Sequence, residues 1–324
     1  MMKPTASATA QIGAVMAEPS ASAGQPTAAD FQRGLDERLW RWLTLSPALL
    51  LLLALSVLPL VNLFATSFFT VSWSGGHSSF AAAGLNNYRA LAGDTLFRAG
   101  ILSTILFAVF AVGGQMLCGF VLALLCTGVT RGRLLYRTIF ILPILVPGIV
   151  VGAIWKLLLN FDFGLVNQAI ALVGIDPLNW LGSPNTALAS VIFVDIWHWT
   201  PFCFLLFLAG LQSLPQDVYE AAKIDGASGW QELTYVTLPM MLPTIMVTFA
   251  FRLVLALKVF DEVYLLTGGG PGTSTQVMSF TLYQRFFRED QTGYGSAMSV
   301  AIIFMTCILL SAAFAARGRM GAAK

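Results

Sequence analysis

Six long apolar segments, separated by shorter polar stretches, dominate the pattern of the chain. They lie near residues 42–66, 100–126, 134–159, 187–211, 238–264 and 296–316. As an α-helix, each is long enough to cross a hydrocarbon core about 30 Å thick. The pattern therefore predicts an all-α integral membrane protein with six transmembrane helices.

Prolines and glycines interrupt these segments. The prolines are Pro59, Pro143, Pro147, Pro201 and Pro243, and the glycines are Gly113, Gly114, Gly119 and Gly148. Transmembrane helices tolerate proline where neighbouring helices satisfy the carbonyl groups that it frees. Glycines allow helix backbones to approach closely. The prolines are therefore compatible with membrane-spanning helices, and we expect the glycines to mark close helix contacts.

The polar connection at 212–237 has its own helical signals. Ser213, followed by an early proline and by a glutamine three residues on, is typical of a helix start. Gly226 suits a left-handed helix stop, and Ser228 with Gln231 forms a second capping box. The sequence predicts two short helices joined by a glycine turn at the membrane surface, before a long helix that Pro239 opens.

The composition also indicates an integral membrane protein. Of 324 residues, 57% are hydrophobic and 10% are charged, whereas soluble domains carry about a quarter charged residues. The net charge of +2 favours no nucleic-acid partner. The four cysteines lie in apolar segments without metal-ligand spacing, which indicates small core residues. Residues 1–36 are predicted to be a disordered cytoplasmic tail, and residues 37–320 the six-span domain.

Lysine and arginine are distributed unevenly between the two sets of connections. One set holds Lys3, Arg33, Arg38, Arg41, Arg131, Arg133, Arg137, Lys223, Arg317, Arg319 and Lys324, and the other Arg89, Arg98, Arg285 and Arg288. Because positive loops stay in the cytoplasm, we expect both termini and the 212–237 loop there. The protein is then a multi-pass protein of the bacterial plasma (inner) membrane.

The segment Glu220–Gly226, followed after nine residues by Val236-Thr237-Leu238-Pro239, resembles the EAA loop of ABC-transporter permeases. The resemblance implies that this cytoplasmic helix-turn-helix, between spans 4 and 5, docks on an ATP-hydrolysing subunit. The coupling residues that it implies are Glu220, Ala221, Ala222, Asp225 and Gly226.

Further motifs extend this resemblance over about residues 40–316. They include the G-L-x-N-Y stretch at Gly84–Tyr88 and the glycine-proline turn at Thr267–Pro271, which are similar to those of MalF-like sugar permeases. The resemblance implies a permease subunit of a binding-protein-dependent sugar or oligosaccharide importer. Its implied partners are a second homologous permease, two copies of an ABC ATPase, and an extracytoplasmic solute-binding protein. It implies no catalytic residue, metal or cofactor, because the partner ATPase binds the ATP.

Charges inside the spans suggest the substrate path. Helix rise places Asp195 roughly 12 Å and Arg252 about 10 Å below the outer boundary, so the two charges share a depth. The spacing of Lys258, Asp261 and Glu262 also allows a local ion pair. Sugar permeases of this type hold solute on spans 4 and 5. Together, the charges and the resemblance predict a substrate path formed by Asp195, Trp199, Phe202, Arg252, Leu255, Lys258 and Asp261.

Each residue of this path has an expected role. Asp195 would accept hydrogen bonds from sugar hydroxyls, Trp199 would offer a flat apolar face, and Arg252 would orient Asp195. A purely structural Asp195–Arg252 pair is the alternative. His198 is expected to be a packed or gating residue rather than a proton relay.

Two other functions remain open at this stage. An ABC permease for a polyol or glycerol-3-phosphate would share the coupling loop, and Arg252 and Lys258 could serve a phosphate. An ion-coupled secondary transporter would need no ATPase and should show an internal repeat. No such repeat is evident, and the EAA-like loop would then have no role.

Overall fold

The computed structural model describes residues 28–74, 77–128 and 132–322. Among these, five helices are long and apolar enough to cross a membrane, and a bent pair makes a sixth span if it is counted as one. They are Leu39–Thr66, Thr95–Thr127, Ala187–Gln212, Gly229–Leu266 and Thr292–Ala313, with the pair Leu135–Leu145 and Gly148–Leu158. All six predicted apolar segments are therefore helical.

The helices, in chain order, have the following bounds. They are α1 Ala28–Thr66, α2 Asn86–Gly93, α3 Thr95–Thr127, α4 Arg133–Leu145, α5 Gly148–Leu158, α6 Leu165–Ala171, α7 Ala187–Gln212, α8 Gln216–Ile224, α9 Gly229–Gln231, α10 Leu238–Leu257, α11 Asp261–Leu266, α12 Met278–Tyr283 and α13 Thr292–Ala322. Two π-helical turns, Glu232–Thr237 and Gln284–Arg288, lie before α10 and before α13.

A short antiparallel hairpin was not predicted from the sequence. Strand β1 (Phe69–Ser74) pairs with β2 (His77–Ala82), with Phe69 opposite Ala82. It occupies the polar connection between the first two spans, where the apolar pattern gave no signal. The all-α prediction is thus correct for the spans and misses this one element.

The chain divides into two units, one ending at Leu60 and the other beginning at Val61. Within the first unit, α1 continues through Pro47 and Pro59. Residues 28–36, which the sequence assigned to the tail, are helical, so the predicted tail boundary is wrong there. The rest of the predicted tail, residues 1–27, lies outside the described residues.

Helices α3 and α7 pack along each other in the second unit. A Cβ atom built on Gly119 would lie 2.6 Å from Cβ of Cys203, and one built on Gly114 would lie 2.5 Å from Cδ1 of Ile196. Both glycines therefore mark the predicted helix contact, and Gly119 admits no side chain because the backbone of α7 also lies within 3 Å of its built Cβ, at the nitrogen of Phe204 (2.9 Å). The prediction is wrong for Gly113, because nothing lies within 4 Å of its built Cβ. The buried core around these helices includes Phe107, Ala111, Val112, Val151, Val191, Val194 and Val263.

The predicted third span is broken rather than continuous. Helices α4 and α5 meet at an angle of 95°, with Val146 and Pro147 in extended conformations between them. The ring of Pro147 disfavours the helical conformation for the residue before it, which accounts for the extended backbone of Val146. Pro143, by contrast, lies inside α4.

The fifth span does not begin at Pro239 as predicted. A π-helical turn at Glu232–Thr237 runs directly into α10, so the backbone is already helical before the proline. Pro239 has no N–H, and its ring would clash with the carbonyl group four residues earlier in a regular α-helix. A widened turn at this position relieves that conflict.

Asp94 ties the start of α3 to α13. Its Oδ1 accepts hydrogen bonds from the backbone N–H groups of Leu96 (2.8 Å) and Phe97 (3.1 Å), and its Oδ2 accepts from the Tyr294 hydroxyl (2.7 Å). Burial alone would raise the pKa of Asp94, but these hydrogen bonds and the charge of Arg285 outweigh it and lower the pKa. Asp94 is therefore stabilised as a carboxylate.

Candidate substrate path and coupling loop

A buried polar cluster joins three of the membrane-spanning helices. Nη2 of Arg252, in α10, lies 3.2 Å from Oδ2 of Asp195, in α7. Gln115, in α3, donates from Nε2 to the same Oδ2 (2.6 Å) and accepts from Arg252 Nε at its Oε1 (2.7 Å). Asp195 and Arg252 thus lie side by side, as their predicted levels on the two helices require, and we call these three residues the polar cluster.

The polar cluster is almost completely removed from solvent. The exposed fraction is 2% for Asp195, 1% for Arg252 and 0% for Gln115. Buried charges are tolerable only when they are paired and hydrogen-bonded, and Gln115 supplies both a donor and an acceptor to the pair. Sequence reasoning missed Gln115, although a lone amide in the middle of an apolar segment is itself a signal.

Two groups of the polar cluster are left for another partner. Nη1 of Arg252 is buried and has no hydrogen-bond partner among the described residues. Within the same part of the chain, every hydrogen bond to the Asp195 carboxylate goes to Oδ2, which leaves Oδ1 without a donor. The cluster thus keeps one donor and one acceptor unused.

Trp199 lies against the polar cluster. The Cζ atom of Arg252 is 4.5 Å from the centre of the Trp199 ring, within the range of a cation–π contact. The guanidinium group therefore occupies one face of the ring, and a solute can stack only on the other. Phe202 packs edge-on against Trp199 at 6.3 Å and contacts Phe251 at 6.4 Å.

A cavity of about 260 Å³ opens beside the polar cluster. Its lining combines residues of α5, α7, α10 and α11 with the segment between α10 and α11. The lining residues are Gly148, Asp195, His198, Trp199, Arg252, Leu255, Lys258, Val259, Phe260, Asp261 and Glu262. Of the seven residues predicted for the substrate path, six line this cavity, and Phe202 does not.

The local ion pair predicted among Lys258, Asp261 and Glu262 does not form within the described residues. Glu262 is instead hydrogen-bonded to His198, with 3.1 Å between Oε1 and Nδ1, and is buried. Lys258 and Asp261 are exposed, and neither has an ion-pair partner in the described part of the chain. The break after Leu257 separates Lys258 from the helical register that its spacing assumed.

The coupling loop, residues 213–231, contains the first predicted short helix, α8, whereas the second, α9, has three residues and continues through the π-helical turn into α10. Helix α8 ends at Ile224 with Asp225 as its C-cap, and Gly226 follows with φ of 78°. The N–H of Ala227 bonds the carbonyl of Ala222 at 2.9 Å, and that of Gly226 bonds Lys223 at 3.1 Å. This pair of bonds is a Schellman motif, which requires the left-handed residue that glycine supplies.

The two predicted caps of the loop have different outcomes. Ser228 and Gln231 form the capping box at the start of α9. Ser213 does not cap α8, because its hydroxyl bonds the Gly210 carbonyl of the preceding helix (2.7 Å) and α8 begins after Pro215 without a side-chain cap. The start of α8 is therefore set by proline geometry.

The coupling residues are mostly at the surface. Glu220, Ala221, Asp225 and Gly226 are exposed and Ala222 is half-buried. Large apolar side chains of the same region are also exposed, notably Ile224 at 86%, Trp230 at 73% and Tyr235 at 79%. An exposed apolar patch beside carboxylates is typical of a surface that contacts another protein.

Comparisons with known proteins agree with this arrangement. Residues 115–317 match the family described as the binding-protein-dependent transport system inner membrane component. The chain is 36% identical to the trehalose/maltose transport system permease protein MalF of Thermococcus litoralis over 259 residues, which are 80% of this chain and 87% of that protein. It is 35% identical to the sulfoquinovosyl glycerol transport system permease protein SmoG of Agrobacterium fabrum over 272 residues, or 84% and 88% of the two chains.

A solved structure shares the fold. A chain of a bacterial ABC transporter involved in the import of the acidic polysaccharide alginate superposes with a TM-score of 0.77 at 23% identity, covering 89% of this chain and 98% of that one. The family match and the sequence identities cover most of the chain, and the membrane-spanning helices agree with a multi-pass inner-membrane protein. The chain belongs to the family of binding-protein-dependent transport system inner membrane components.

Proposed function

We propose that this chain is a permease subunit of an ABC importer that moves a sugar or oligosaccharide inward across the plasma membrane. The observation that carries the proposal is the identity of 35–36% to permeases named for carbohydrate transport, over at least 80% of the chain. An ion-coupled secondary transporter is disfavoured, because the family is one of binding-protein-dependent systems.

The cavity chemistry supports a neutral, hydroxylated solute. A volume of about 260 Å³ is below the roughly 300–1,000 Å³ of pockets for drug-sized ligands, so it suits one sugar unit at a time. Asp195 Oδ1 offers an acceptor to a hydroxyl group, Arg252 Nη1 offers a donor, and the free face of Trp199 offers apolar contact. Sugars carry both hydroxyl groups and apolar ring faces.

A phosphate receives less support from the same cavity. The charge of Arg252 is matched by Asp195, and Asp261 and Glu262 also line the space. A phosphate would therefore lie among three carboxylates, with Lys258 as the one cation without an ion-pair partner in the described lining. This arrangement favours a sugar over glycerol-3-phosphate.

The partners follow from the coupling loop. In this proposal Glu220 and the exposed apolar residues of the loop face an ATPase subunit, and both chain termini lie in the cytoplasm with it. One loop makes one ATPase contact, so a complete importer contains a second permease subunit, two ATPase copies and an extracytoplasmic binding protein. The chain itself then binds no ATP or other cofactor and catalyses no reaction.

Reconstitution tests the proposal directly. The chain would be purified with its partner permease and ATPase, placed in liposomes with ATP inside, and supplied with the cognate binding protein. Radiolabelled trehalose, maltose and other neutral sugars would be compared with glycerol-3-phosphate. We expect sugar uptake that requires both ATP and the binding protein, and native mass spectrometry should show both permeases with two ATPases.

Three results would contradict the proposal. The first is sugar uptake that persists without the ATPase, which would remove the coupling role of the loop. The second is uptake of glycerol-3-phosphate in preference to every sugar tested. The third is an active complex that contains this chain as its one type of permease.

A further inference from the structure

Two helix breaks meet beside the cavity. The first, at Val146–Pro147, separates α4 from α5, and the second, at Lys258–Phe260, separates α10 from α11. Helices α5 and α11 pack closely, since a Cβ atom built on Gly152 would lie 2.9 Å from Cβ of Leu265. We call them the α5–α11 pair. A rotation at both breaks moves this pair without breaking hydrogen bonds inside either helix.

One buried side chain of α7 reaches both breaks. Nε2 of His198 lies 3.1 Å from the carbonyl oxygen of Val146, in the first break. Nδ1 of the same ring lies 3.1 Å from Oε1 of Glu262, which follows the second break in α11. His198 is 4% exposed, so the ring is almost completely enclosed by the protein.

The two acceptors restrict where the hydrogens of the His198 ring lie. A carbonyl oxygen accepts but cannot donate, so Nε2 carries a hydrogen. One further hydrogen lies between Nδ1 and Oε1, whichever of the two groups holds it. With one bond at each nitrogen, Val146 and Glu262 together fix the orientation of the ring.

We propose that His198 is a positioning residue that pins the α5–α11 pair to α7 and thereby holds the cavity in its present shape. The cavity lining contains Gly148 of α5, Asp261 and Glu262 of α11, and His198 itself. Displacement of the pair therefore changes the space available to a solute. This inference rests on the proposed function for its consequence in transport, but not for its structural part.

A second, aromatic contact also holds α5 against α7, so the test must distinguish this contact from the hydrogen bonds of His198. The Trp155 ring packs edge-on against Phe193 at 5.4 Å and Trp197 at 5.5 Å. This aromatic contact is apolar and joins residues inside α5 and α7. His198, by contrast, forms hydrogen bonds to Val146 in the first break and to Glu262 just after the second. Removing the hydrogen bonds while keeping a planar aromatic ring separates the two contributions, and His198→Phe does this.

The test measures the distance between α5 and α7 in the purified importer complex. Spin labels would be placed at the exposed positions 156 and 189, after replacement of the exposed Cys118 and Cys307 by serine. Double electron–electron resonance gives the distance distribution without solute or ATP. The control is Thr200→Val, because Thr200 is buried in α7 but bonds its own helix at Ile196.

In His198→Phe we expect a displaced population raised roughly tenfold or more, because both hydrogen bonds of the ring are lost. His198→Gln keeps a donor for Val146 and should restore most of the original distribution, and Thr200→Val should leave it unchanged. ATP hydrolysis without binding protein should rise in His198→Phe as well. If His198→Phe does not assemble, Glu262→Leu removes the bond between His198 and Glu262, and the same distance distribution is measured in that variant.

The proposed role of His198 would be contradicted if the distance distribution were unchanged in assembled His198→Phe. It would also be contradicted if Thr200→Val displaced the α5–α11 pair as much as His198→Phe does. Because the distance needs neither solute nor ATP, it can be read even if no sugar is transported. If His198→Phe changes the distance distribution as expected but the unchanged importer takes up no sugar, the result counts against the proposed function alone. If sugar uptake is normal and the distance between α5 and α7 is unchanged in His198→Phe, the result counts against the role of His198 alone.

Discussion

Gly226 offers the most exact test of the coupling loop. Its φ of 78° lies in the left-handed region, and none of the described residues has an atom within 4 Å of a Cβ atom built on it. A side chain at this position therefore meets no steric obstacle, and the cost of Gly226→Val is a backbone cost. Gly229 is equally open but has an ordinary φ, which makes Gly229→Val a matched control.

The magnitude follows from two independent estimates. An L-residue in the left-handed conformation costs about 1–2 kcal/mol, and valine is at the upper end because its β-branch restricts the backbone further. If the backbone instead leaves this conformation, the two bonds of the Schellman motif, from Ala227 and Gly226, are lost at about 1 kcal/mol each. Either route gives about 2 kcal/mol, or roughly thirtyfold in the population of the correct loop.

The assay is the affinity of the ATPase subunit for the permease pair in nanodiscs, measured by surface plasmon resonance. We expect Gly226→Val to weaken this affinity by roughly thirtyfold, and Gly226→Asn to weaken it far less because asparagine tolerates the left-handed region. Gly229→Val should bind as the unchanged chain does. Equal affinities for Gly226→Val and Gly229→Val would refute the reasoning.

Three further predictions use other parts of the molecule. Cysteines placed at His77 and Ser274 should be labelled from the outside of intact cells, and labelling from the cytoplasmic side alone would reverse the topology. Glu220→Ala should leave an assembled permease pair whose ATPase is no longer stimulated by binding protein and solute; normal stimulation would remove its coupling role. Because the folded-state pKa of Asp94 is lowered, its stabilising contribution is present above the unfolded pKa and is lost as pH falls through the folded value. Melting curves should show this acid-side loss in the native chain and less of it in Asp94→Asn.

The elements that depend on local sequence could be predicted. The spans follow from apolar length, and the capping box of Ser228 with Gln231 and the left-handed Gly226 follow from residues a few positions apart. The matching levels of Asp195 and Arg252 on the two helices also followed from helix rise alone. These signals are local or one-dimensional, so the sequence contains them directly.

The features that depend on tertiary contacts could not be predicted. Gln115 joins the Asp195–Arg252 pair from a third helix, and the bond between His198 and Glu262 links residues far apart in the chain. The local ion pair expected for Lys258 failed for the same reason, because a helix break and a distant histidine determine where Glu262 points. Pro147 was visible in the sequence, but the 95° bend that follows from it was not.

The central claim is that the polar cluster contacts the transported solute. The most direct measurement is the solute affinity of the assembled importer when the charges are exchanged in the double variant Asp195→Arg, Arg252→Asp, with Asp195→Asn beside it. We expect both variants to assemble, Asp195→Asn to lose transport or change its solute preference, and the exchanged pair to lose normal affinity. Normal solute affinity in the exchanged variant would show that the pair is purely structural, and would contradict the assignment.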